Sequence, residues 1–290
     1  MLNNYSNTVY INCIIFFCEV ILLRQVDVFP YYKLCVKEME KQYNYMKSLF
    51  NSTYTDELCK MRGYVGEEQR SHIAKMHLGY CNIVDVDELG SMRSELGLVS
   101  SKDNFLLADR FIIPVEDING NLVALIGYYQ DFKKYITTSS PFFSKNLMFY
   151  NFRQAYKLSM KDFGGLVFLV EGIFDCISMS SLGLPCIATM GATVTNEKCE
   201  LLKFFKKVIA IPDNDTVGRR ALNRYDKRYG WKVPYNATMI KFDGGYLNVG
   251  GNCLKVKDMD NFISWFDADD VRDILLSFKD SKEDIEILKL

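Results

Sequence analysis

The sequence predicts an α/β fold in which a parallel sheet with flanking helices follows a smaller mixed α+β subdomain. Short apolar runs alternate with helical segments from Gly164 onward, and this alternation is typical of a parallel sheet with helices on its faces. An Asn-Gly pair between two β-rich runs predicts an antiparallel hairpin near residue 120. The chain has 290 residues, 49% of them hydrophobic and 24% charged, which is enough to bury a core.

The first third of the chain is predicted to be helical. Apolar residues recur at helical spacing from Pro30 to Leu49, and shorter helices are expected over 56–61 and 66–76. This part of the sequence carries no obvious chemistry.

An apolar run, Val9–Leu23, precedes these helices. It is shorter than the roughly 18 to 20 apolar residues of a membrane span, contains Glu19, and lacks the basic leader of a signal peptide. We therefore expect no membrane association. A buried element is one interpretation of the run, and a true start further along, at Met39 or Met46, is another.

The predicted hairpin joins a strand over Arg110–Asp117 to a strand over Asn121–Tyr129. The polar loop after it interleaves lysines with aromatic residues, a pattern that suits single-stranded nucleic acid because lysines bind phosphates and rings stack on bases. The alternative is that the rings belong to the core and the lysines are solvated. The residues concerned are Lys133, Lys134, Tyr135, Phe142, Phe143, Lys145 and Phe149.

The second half of the chain alternates between strands and helices. Strands are predicted over 165–172, 186–191, 207–215 and 237–242, and helices over 174–183, 195–205 and 216–230. The last of these helices is basic, and Arg220, Arg224 and Lys227 share one of its faces. That face is either solvated or placed to meet an anionic ligand, together with Arg219 and Arg228.

Carboxylates lie where the strands of this sheet end. Glu171 closes the first strand, Asp175 follows one helical turn later, and Asp213–Asp215 closes the third strand. Asp258 and Asp260 follow the fourth strand. Six neighbouring carboxylates repel one another unless a cation neutralises them, and hard oxygen ligands select Mg²⁺ or Mn²⁺. A single Asp-x-Asp would equally suit a turn, but three acidic clusters at strand ends predict a metal site for phosphate chemistry.

Charge and cysteine content restrict the class of protein further. The net charge of −1 divides into −6 over residues 258–290 and +5 over the remainder, which leaves room for a basic face. The nine cysteines form no CxxC pair, so a reducing cytoplasm is expected and neither a disulfide framework nor zinc is.

Four segments together resemble a known family. Residues 171–175 (EGIFD), 190–193 (MGAT), 211–221 (IPDNDTVGRRA) and 257–262 (KDMDNF) are similar, in order and spacing, to the Toprim domain of primases, topoisomerases and some nucleases. The hairpin and loop before them, with RGYVGEE and HLGYC further upstream, resemble the segment that leads into the Toprim domain of bacterial-type DNA primases. The resemblance spans roughly residues 55 to 265.

The resemblance implies a division of roles. Glu171, Asp213 and Asp215 would be the central catalytic and metal-binding acids, and Asp175, Asp258 and Asp260 would complete the ion cluster. Nucleic acid and nucleotide would be bound by Arg110, Lys134, Tyr135, Lys145, Arg219, Arg220 and Arg224.

The same resemblance implies a DNA primase catalytic core that makes RNA primers on single-stranded DNA from ribonucleoside triphosphates. The alternatives are a Toprim nuclease and a non-catalytic nucleic-acid-binding protein; a topoisomerase would need a further domain. The sequence departs from the family's pattern in three ways. It shows no zinc ribbon, the second hairpin strand ends in GYYQDF (127–132) where bacterial members tend to have an arginine, and Thr137 stands where asparagine is usual. We therefore expect a compact phage or plasmid member that works with a replicative helicase and a separate zinc-ribbon protein in the host cytoplasm.

Four segments are expected along the chain. They are a helical extension over 1–54, the primase N-terminal subdomain with the basic hairpin over 55–163, the Toprim domain over 164–262, and an acidic helical segment over 263–290.

Overall fold

The computed structural model describes residues 33, 37, 40, 59, 64, 66–81, 106–129, 134–138, 143–223, 225–234, 237–242, 246–249 and 252–288. The apolar run Val9–Leu23, most of the helix predicted over 30–49, Lys133 and Arg224 lie outside these residues. Lys33, Lys37 and Glu40 are helical, in agreement with the helix predicted over 30–49. Among the described residues, no helix has the length and apolar character that crossing a membrane requires.

The N-terminal subdomain is built on a four-stranded antiparallel sheet with strands in sequential order. Its elements are α1 (Glu67–Ala74), β1 (Gly79–Cys81), β2 (Arg110–Glu116), β3 (Leu122–Tyr129) and β4 (Lys134–Thr137). The predicted hairpin is β2 and β3, whereas β4 had been predicted as loop and β1 had not been predicted. Asp117 holds the turn, since its Oδ1 accepts hydrogen bonds from the backbone N–H groups of Asn119 (2.8 Å) and Asn121 (2.9 Å).

A five-stranded parallel sheet forms the second unit and confirms the predicted architecture. In chain order its elements begin with α2 (Phe152–Asp162), β5 (Leu166–Val170), α3 (Ile173–Ser181), β6 (Cys186–Ala188), α4 (Asn196–Leu202), β7 (Lys207–Ile211), α5 (Thr216–Ala221) and β8 (Thr238–Phe242). They continue with a two-stranded hairpin, β9 (Tyr246–Val249) and β10 (Asn252–Lys255), and then α6 (Met259–Trp265), α7 (Ala268–Ser277), a 3₁₀ turn (Phe278–Asp280) and β11 (Ile285–Leu288). The strand order is β11-β8-β7-β5-β6.

Both faces of this sheet are buried, which explains why its central strands read as unbroken apolar runs. Phe168 and Ile209 face one cluster, which also contains the buried residues of α3 and α6. Val167 and Val208 face the other cluster, beneath the fully buried Trp231. The apolar layers fix the strand ends, and these ends carry the acids.

The C-terminal segment differs from its prediction, because it is not helical throughout. After α7 the chain turns back and β11 pairs with β8 in parallel, with Ile285 opposite Met239. Lys207 supports this return, since its Nζ donates to the carbonyl of Ser281 at 2.6 Å. The alternation Ile-Glu-Ile was the available signal for a strand.

The basic helix predicted over 216–230 is also wrong in extent, because α5 ends at Ala221 and turns follow it. Two polar side chains compete with the helical hydrogen bonds. Asn223 accepts from the N–H of Tyr225 at 3.0 Å, and Asp226 accepts from those of Arg228 and Tyr229 at 2.9 Å. Lys227 therefore lies in a turn and does not share a helix face with Arg220.

Candidate active site

The predicted acids gather at the carboxyl edge of the parallel sheet. Glu171 follows the last residue of β5, and the turn holding Asp213 and Asp215 follows β7, the neighbouring strand. The third strand had been predicted to run through Asp215, but it ends at Ile211, so both aspartates lie in the turn that leads into α5. Ligand sites of parallel sheets lie at this edge.

Mutual repulsion and burial raise the pKa values of two of these acids. The pKa of Glu171 rises to about 7, first because the side chain is desolvated and then because Asp215 lies close, while Lys257 opposes the shift. The pKa of Asp213 rises to about 8 through burial and the charges of Glu171 and Asp258. The charges of neighbouring acids thus disfavour ionisation of both Glu171 and Asp213, which form one electrostatic unit.

The carboxylate oxygens differ in how many hydrogen bonds they accept. One oxygen of Asp215 caps α5 by accepting from the N–H of Gly218 at 2.8 Å. Within the described part of the chain, the carboxylates of Glu171 and Asp213 accept no hydrogen bond from the protein. Buried carboxylates without donors are costly unless a cation or a proton compensates them.

Asp175, by contrast, is fully engaged with the backbone. Its side chain is buried, with Oδ2 accepting from the N–H of Gly172 (3.1 Å) and Oδ1 from the N–H of Asp260 (2.9 Å). Burial raises its pKa, and the charges of Asp258 and Asp213 raise it further. Asp175 therefore ties the start of α3 to the start of α6, which brings the first and last acidic clusters together.

The last acidic cluster lies at the start of α6. Asp258 caps this helix, with Oδ1 accepting from the N–H of Asn261 at 2.9 Å. Asp260 accepts from the hydroxyl of Ser178 at 2.5 Å and from that of Tyr64 at 3.4 Å. Sequence reasoning missed Ser178 and Tyr64, since a serine inside a helix and a tyrosine between glycines carry no distinguishing pattern.

Asn214, which separates the two aspartates of the β7 turn, fixes that turn. Its backbone N–H donates to the carbonyl of Lys257 (2.6 Å) and its side-chain amide to that of Val256 (2.8 Å). The turn is thus joined to the segment that carries Asp258. Lys257, another residue that sequence reasoning did not single out, supplies the cation that partly offsets the pKa shifts of Glu171 and Asp213.

The donor set at this edge fits a divalent cation in chemistry and charge. Glu171 and Asp213 are partly buried, without hydrogen-bond donors, and held together against repulsion, and Asp215 uses one oxygen for its cap. Among the described residues, no three acidic, histidine or cysteine side chains converge on one point that would hold an ion. The six-carboxylate ion cluster therefore stays a prediction, and the hydrogen bonds favour Glu171, Asp213 and Asp215 as its core.

Aromatic contacts bring β4 next to the acidic edge. Tyr135, with 45% of its surface exposed, lies with its ring centroid 4.8 Å from that of Tyr128. Tyr128 contacts Phe174, the residue before Asp175, at 4.7 Å. Lys134 is exposed beside Tyr135. Two of the residues predicted to bind nucleic acid therefore lie on the strand that packs towards α3.

The other predicted basic residues are distributed more widely. Arg110 donates through Nε to the carbonyl of Leu106 (2.8 Å) and stacks over the ring of Tyr129, and Lys145 is exposed. Arg219 is exposed, whereas Arg220 is paired with Asp226 at 2.8 Å. The hydrogen bond from the backbone N–H of Tyr229 and, second, the pairing with Arg220 lower the pKa of Asp226 to about 2. Arg224 lies outside the described residues, so its role stays a prediction.

Comparison with known proteins supports the expected family resemblance. Residues 168–243 match a family model described as Toprim-like. The DNA primase of Clostridium acetobutylicum is 33% identical over 139 residues, which are 45% of this chain and 23% of that protein. The chain spans less than two thirds of the length of each curated DNA primase that it matches.

Solved primase structures share the fold. The zinc-binding and RNA polymerase domains of Aquifex aeolicus primase superpose with a TM-score of 0.62 and 23% identity, over 88% of this chain and 62% of that one. The DnaG primase catalytic domain bound to single-stranded DNA gives 0.61 and 18%, over 83% and 78%. The relatives of this chain are thus DNA primases, and its fold is that of bacterial primase catalytic cores with a Toprim domain.

Proposed function

We propose that this chain is a DNA primase catalytic core, a nucleotidyltransferase that synthesises short RNA primers on single-stranded DNA. One observation carries the proposal: the Tyr135–Tyr128–Phe174 contacts join a strand with exposed lysine and tyrosine to the acidic edge of a parallel sheet. The acids alone would suit any Toprim enzyme. A template-binding surface beside them is what primer synthesis adds.

In the proposed reaction, the 3′-hydroxyl of one ribonucleotide attacks the α-phosphorus of a second ribonucleoside triphosphate. A phosphodiester bond forms, the bond to pyrophosphate breaks, and the hydroxyl proton leaves to solvent. Lys134 and Lys145 would hold phosphates of template and nucleotide, and Arg110 would add a third positive charge to this surface. The ring of Tyr135 would stack on a base. Arg219, which is exposed and has no ion pair among the described residues, would offer a further cation, whereas Arg220 must first give up Asp226.

The acidic edge would hold one or two Mg²⁺ or Mn²⁺ ions, with Glu171, Asp213 and the free oxygen of Asp215 as first candidates. Such ions neutralise phosphate charge and lower the pKa of the attacking hydroxyl. Asp175 and Asp260 accept hydrogen bonds from protein groups, so their part would be to keep the start of α6, which carries Asp258, in position against α3.

The remaining expectations belong to the same proposal. The segments over 1–54, 55–163, 164–262 and 263–290 would be the units of the protein, with β11 of the last unit completing the Toprim sheet. A replicative helicase and a zinc-ribbon protein would be the partners, no zinc would be bound, and the site of action would be the cytoplasm of a bacterium or of a phage-infected host. Neither alternative, a Toprim nuclease or a non-catalytic binding protein, is favoured.

Primer synthesis is the direct test. The purified chain is incubated with single-stranded DNA, labelled ribonucleoside triphosphates and Mg²⁺ or Mn²⁺, with and without a replicative helicase and a zinc-ribbon domain. We expect short RNA products from the wild type and from the control Asp273→Asn, an exposed acid of α7, but none from Asp213→Asn/Asp215→Asn.

The products distinguish the alternatives. Metal-dependent cleavage of DNA without ribonucleotides, abolished in the same double variant, would replace the proposal with a nuclease. DNA binding that is unchanged in the double variant, with no product from either protein under any condition, would leave a binding module.

A further inference from the structure

One lysine is buried at the acidic edge without any role in the proposed chemistry. Lys198, on α4, is only 1% exposed, and its Nζ donates to the carbonyl of Thr189 at 2.5 Å. The ammonium also lies 5.2 Å from the centre of the Phe149 ring. A buried lysine is unusual because desolvation of the ammonium is expensive. Sequence reasoning did not single out Lys198.

Lys198 lies between two loops, the turn after β6 and the loop that carries Lys145. The carbonyl that it binds belongs to Thr189, which follows β6 and whose backbone N–H donates at 3.0 Å to the carbonyl of Val170, the residue before Glu171. The Thr189 hydroxyl lies within hydrogen-bond distance of the carbonyls of both Gly191 and Glu171. Met190, the next residue, has a φ of +57°, a backbone conformation that a side chain disfavours and that needs fixed neighbours. Lys198 therefore anchors the turn that supports the backbone of Glu171.

On its other side, Lys198 contacts the loop that carries Lys145. Phe149 belongs to this loop, and Asn146 accepts a hydrogen bond from the hydroxyl of Thr195, the cap of α4, at 2.8 Å. Burial lowers the pKa of Lys198, and the positive charge of Lys145 adds to this shift, so that the pKa falls to about 7.

The other surroundings of Lys198 carry no charge that would offset this repulsion. The strand end and turn packed against it, residues 186–191, contain no charged side chain. Glu197 and Glu200 of its own helix are exposed, and Glu200 is paired with Lys203 at 2.6 Å. The two lysines therefore repel each other without a described carboxylate between them.

We propose that Lys198 is a positioning residue that couples phosphate binding at Lys145 to the backbone that supports Glu171. A phosphate on Lys145 would remove the repulsion and favour the charged ammonium, which holds the Thr189 carbonyl more tightly than the neutral amine does. Because coupling between two binding events is reciprocal, protonation of Lys198 would strengthen phosphate binding by the same factor. This inference rests on the proposed function for the identity of the phosphate, which belongs to template DNA or to a ribonucleoside triphosphate.

Proton uptake on binding tests the coupling. Calorimetric titrations with a dT12 oligonucleotide, and separately with ATP, are run in EDTA at pH 7.5 in two buffers of different ionisation enthalpy. We expect the wild type to take up about half a proton more than Lys198→Arg, whose charge is fixed, and than Lys198→Met, whose charge is absent. The exposed Lys203→Met, at the C-terminal cap of the same helix, is the matched control and should behave as the wild type.

Affinity provides the second measurement. Between pH 6.5 and 8.5 the wild type should lose about 5- to 10-fold more affinity than Lys198→Arg. Lys145→Met should remove both the uptake and this excess. The ligand that shows the coupling identifies the source of the phosphate.

Several outcomes would overturn the inference. Equal proton uptake in the wild type and Lys198→Arg would do so, as would binding of neither ligand. If the protein makes primers but shows no difference in proton uptake between the wild type and Lys198→Arg, the proposed function stands and the coupling is wrong. If it shows that difference but makes no RNA, the coupling stands and the proposed function is wrong. Thermal unfolding of each variant checks that the fold is intact.

Discussion

Two clusters of charge lie on the same edge of the parallel sheet, one of partly buried acids and one around the buried Lys198, and they differ in how the protein stabilises them. Glu171 and Asp213 repel each other and accept no hydrogen bond among the described residues, so their charge is left for a ligand to compensate. Lys198 is also repelled by a like charge, but its ammonium donates to a carbonyl and faces an aromatic ring. The acids are thus arranged to bind a cation, whereas the lysine is arranged to hold backbone.

The largest expected effect is the loss of primer synthesis when one of the acids is neutralised. Asp213→Asn preserves shape but removes the charge that links Glu171, Asp215 and Asp258, so primer synthesis should fall by at least about 10³-fold. Without metal, the same change should leave the protein as stable as the wild type or more so, because it relieves repulsion. Initial rates and thermal unfolding in EDTA measure the two effects. Equal activity of Asp213→Asn and wild type would remove the acidic edge from the mechanism.

A change of backbone geometry should have the next largest effect. At Gly218, in α5, an added Cβ would lie 1.8 Å from the carbonyl oxygen of Asp213. Gly218→Ala must therefore displace the turn that carries both aspartates, and we expect a loss of about 2 to 4 kcal/mol in the free energy of unfolding. Urea unfolding measures the loss. Gly191→Ala, where an added Cβ meets nothing within 4 Å, is the control and should cost far less.

Much of this arrangement could be predicted from the sequence. The strands β5 to β8 are short, predominantly apolar runs, and the position of acids after such runs is a local pattern that needs no knowledge of packing. The roles of those acids are not local. Asp175 and Asp260 look like Glu171 in the sequence, but only the structure shows that residues far along the chain donate hydrogen bonds to their carboxylates.

The elements that were missed have equally physical causes. β4 and β11 are short, lie at sheet edges, and are specified mainly by the strand they join. The early end of α5 depends on Asn223 and Asp226, whose side chains bind backbone N–H groups in place of helical carbonyls. The burial of Lys198 could not be predicted from the sequence, because a lysine on a short helix is normally exposed.

The pH dependence of stability should separate the two clusters by sign. The folded-state pKa of Glu171, about 7, lies above its ordinary value of 4.5, so the metal-free protein loses stability from this group as pH rises from about 4.5 to 7. The folded-state pKa of Lys198, about 7, lies below 10.5, so its burial penalty is full below pH 7 and fades as pH rises towards 10.5.

Two variants measure these opposite signs. In EDTA, Glu171→Gln should gain about 1 to 2 kcal/mol over the wild type at pH 8.5 and little at pH 4.5, while Lys198→Met should gain more at pH 6 than at pH 9.5. The free energy of unfolding in urea at each pH gives the comparison. If both gains changed with pH in the same direction, the two clusters would not differ as described.

The smallest expected effect concerns two surface cations. It sharpens the same distinction between a charge that is already paired within the protein and one that is left for a ligand. Arg220 spends its guanidinium on Asp226 and lies over the ring of Tyr229, whereas Lys134 is exposed beside Tyr135. Lys134→Met should therefore weaken binding of a dT12 oligonucleotide by about 3- to 10-fold and reduce the salt dependence by roughly one phosphate contact. Arg220→Met should change this affinity by less than about 2-fold. Fluorescence anisotropy at several salt concentrations decides between them, and a larger loss in Arg220→Met would mean that nucleic acid displaces Asp226 and that the turn after α5 is part of the binding surface.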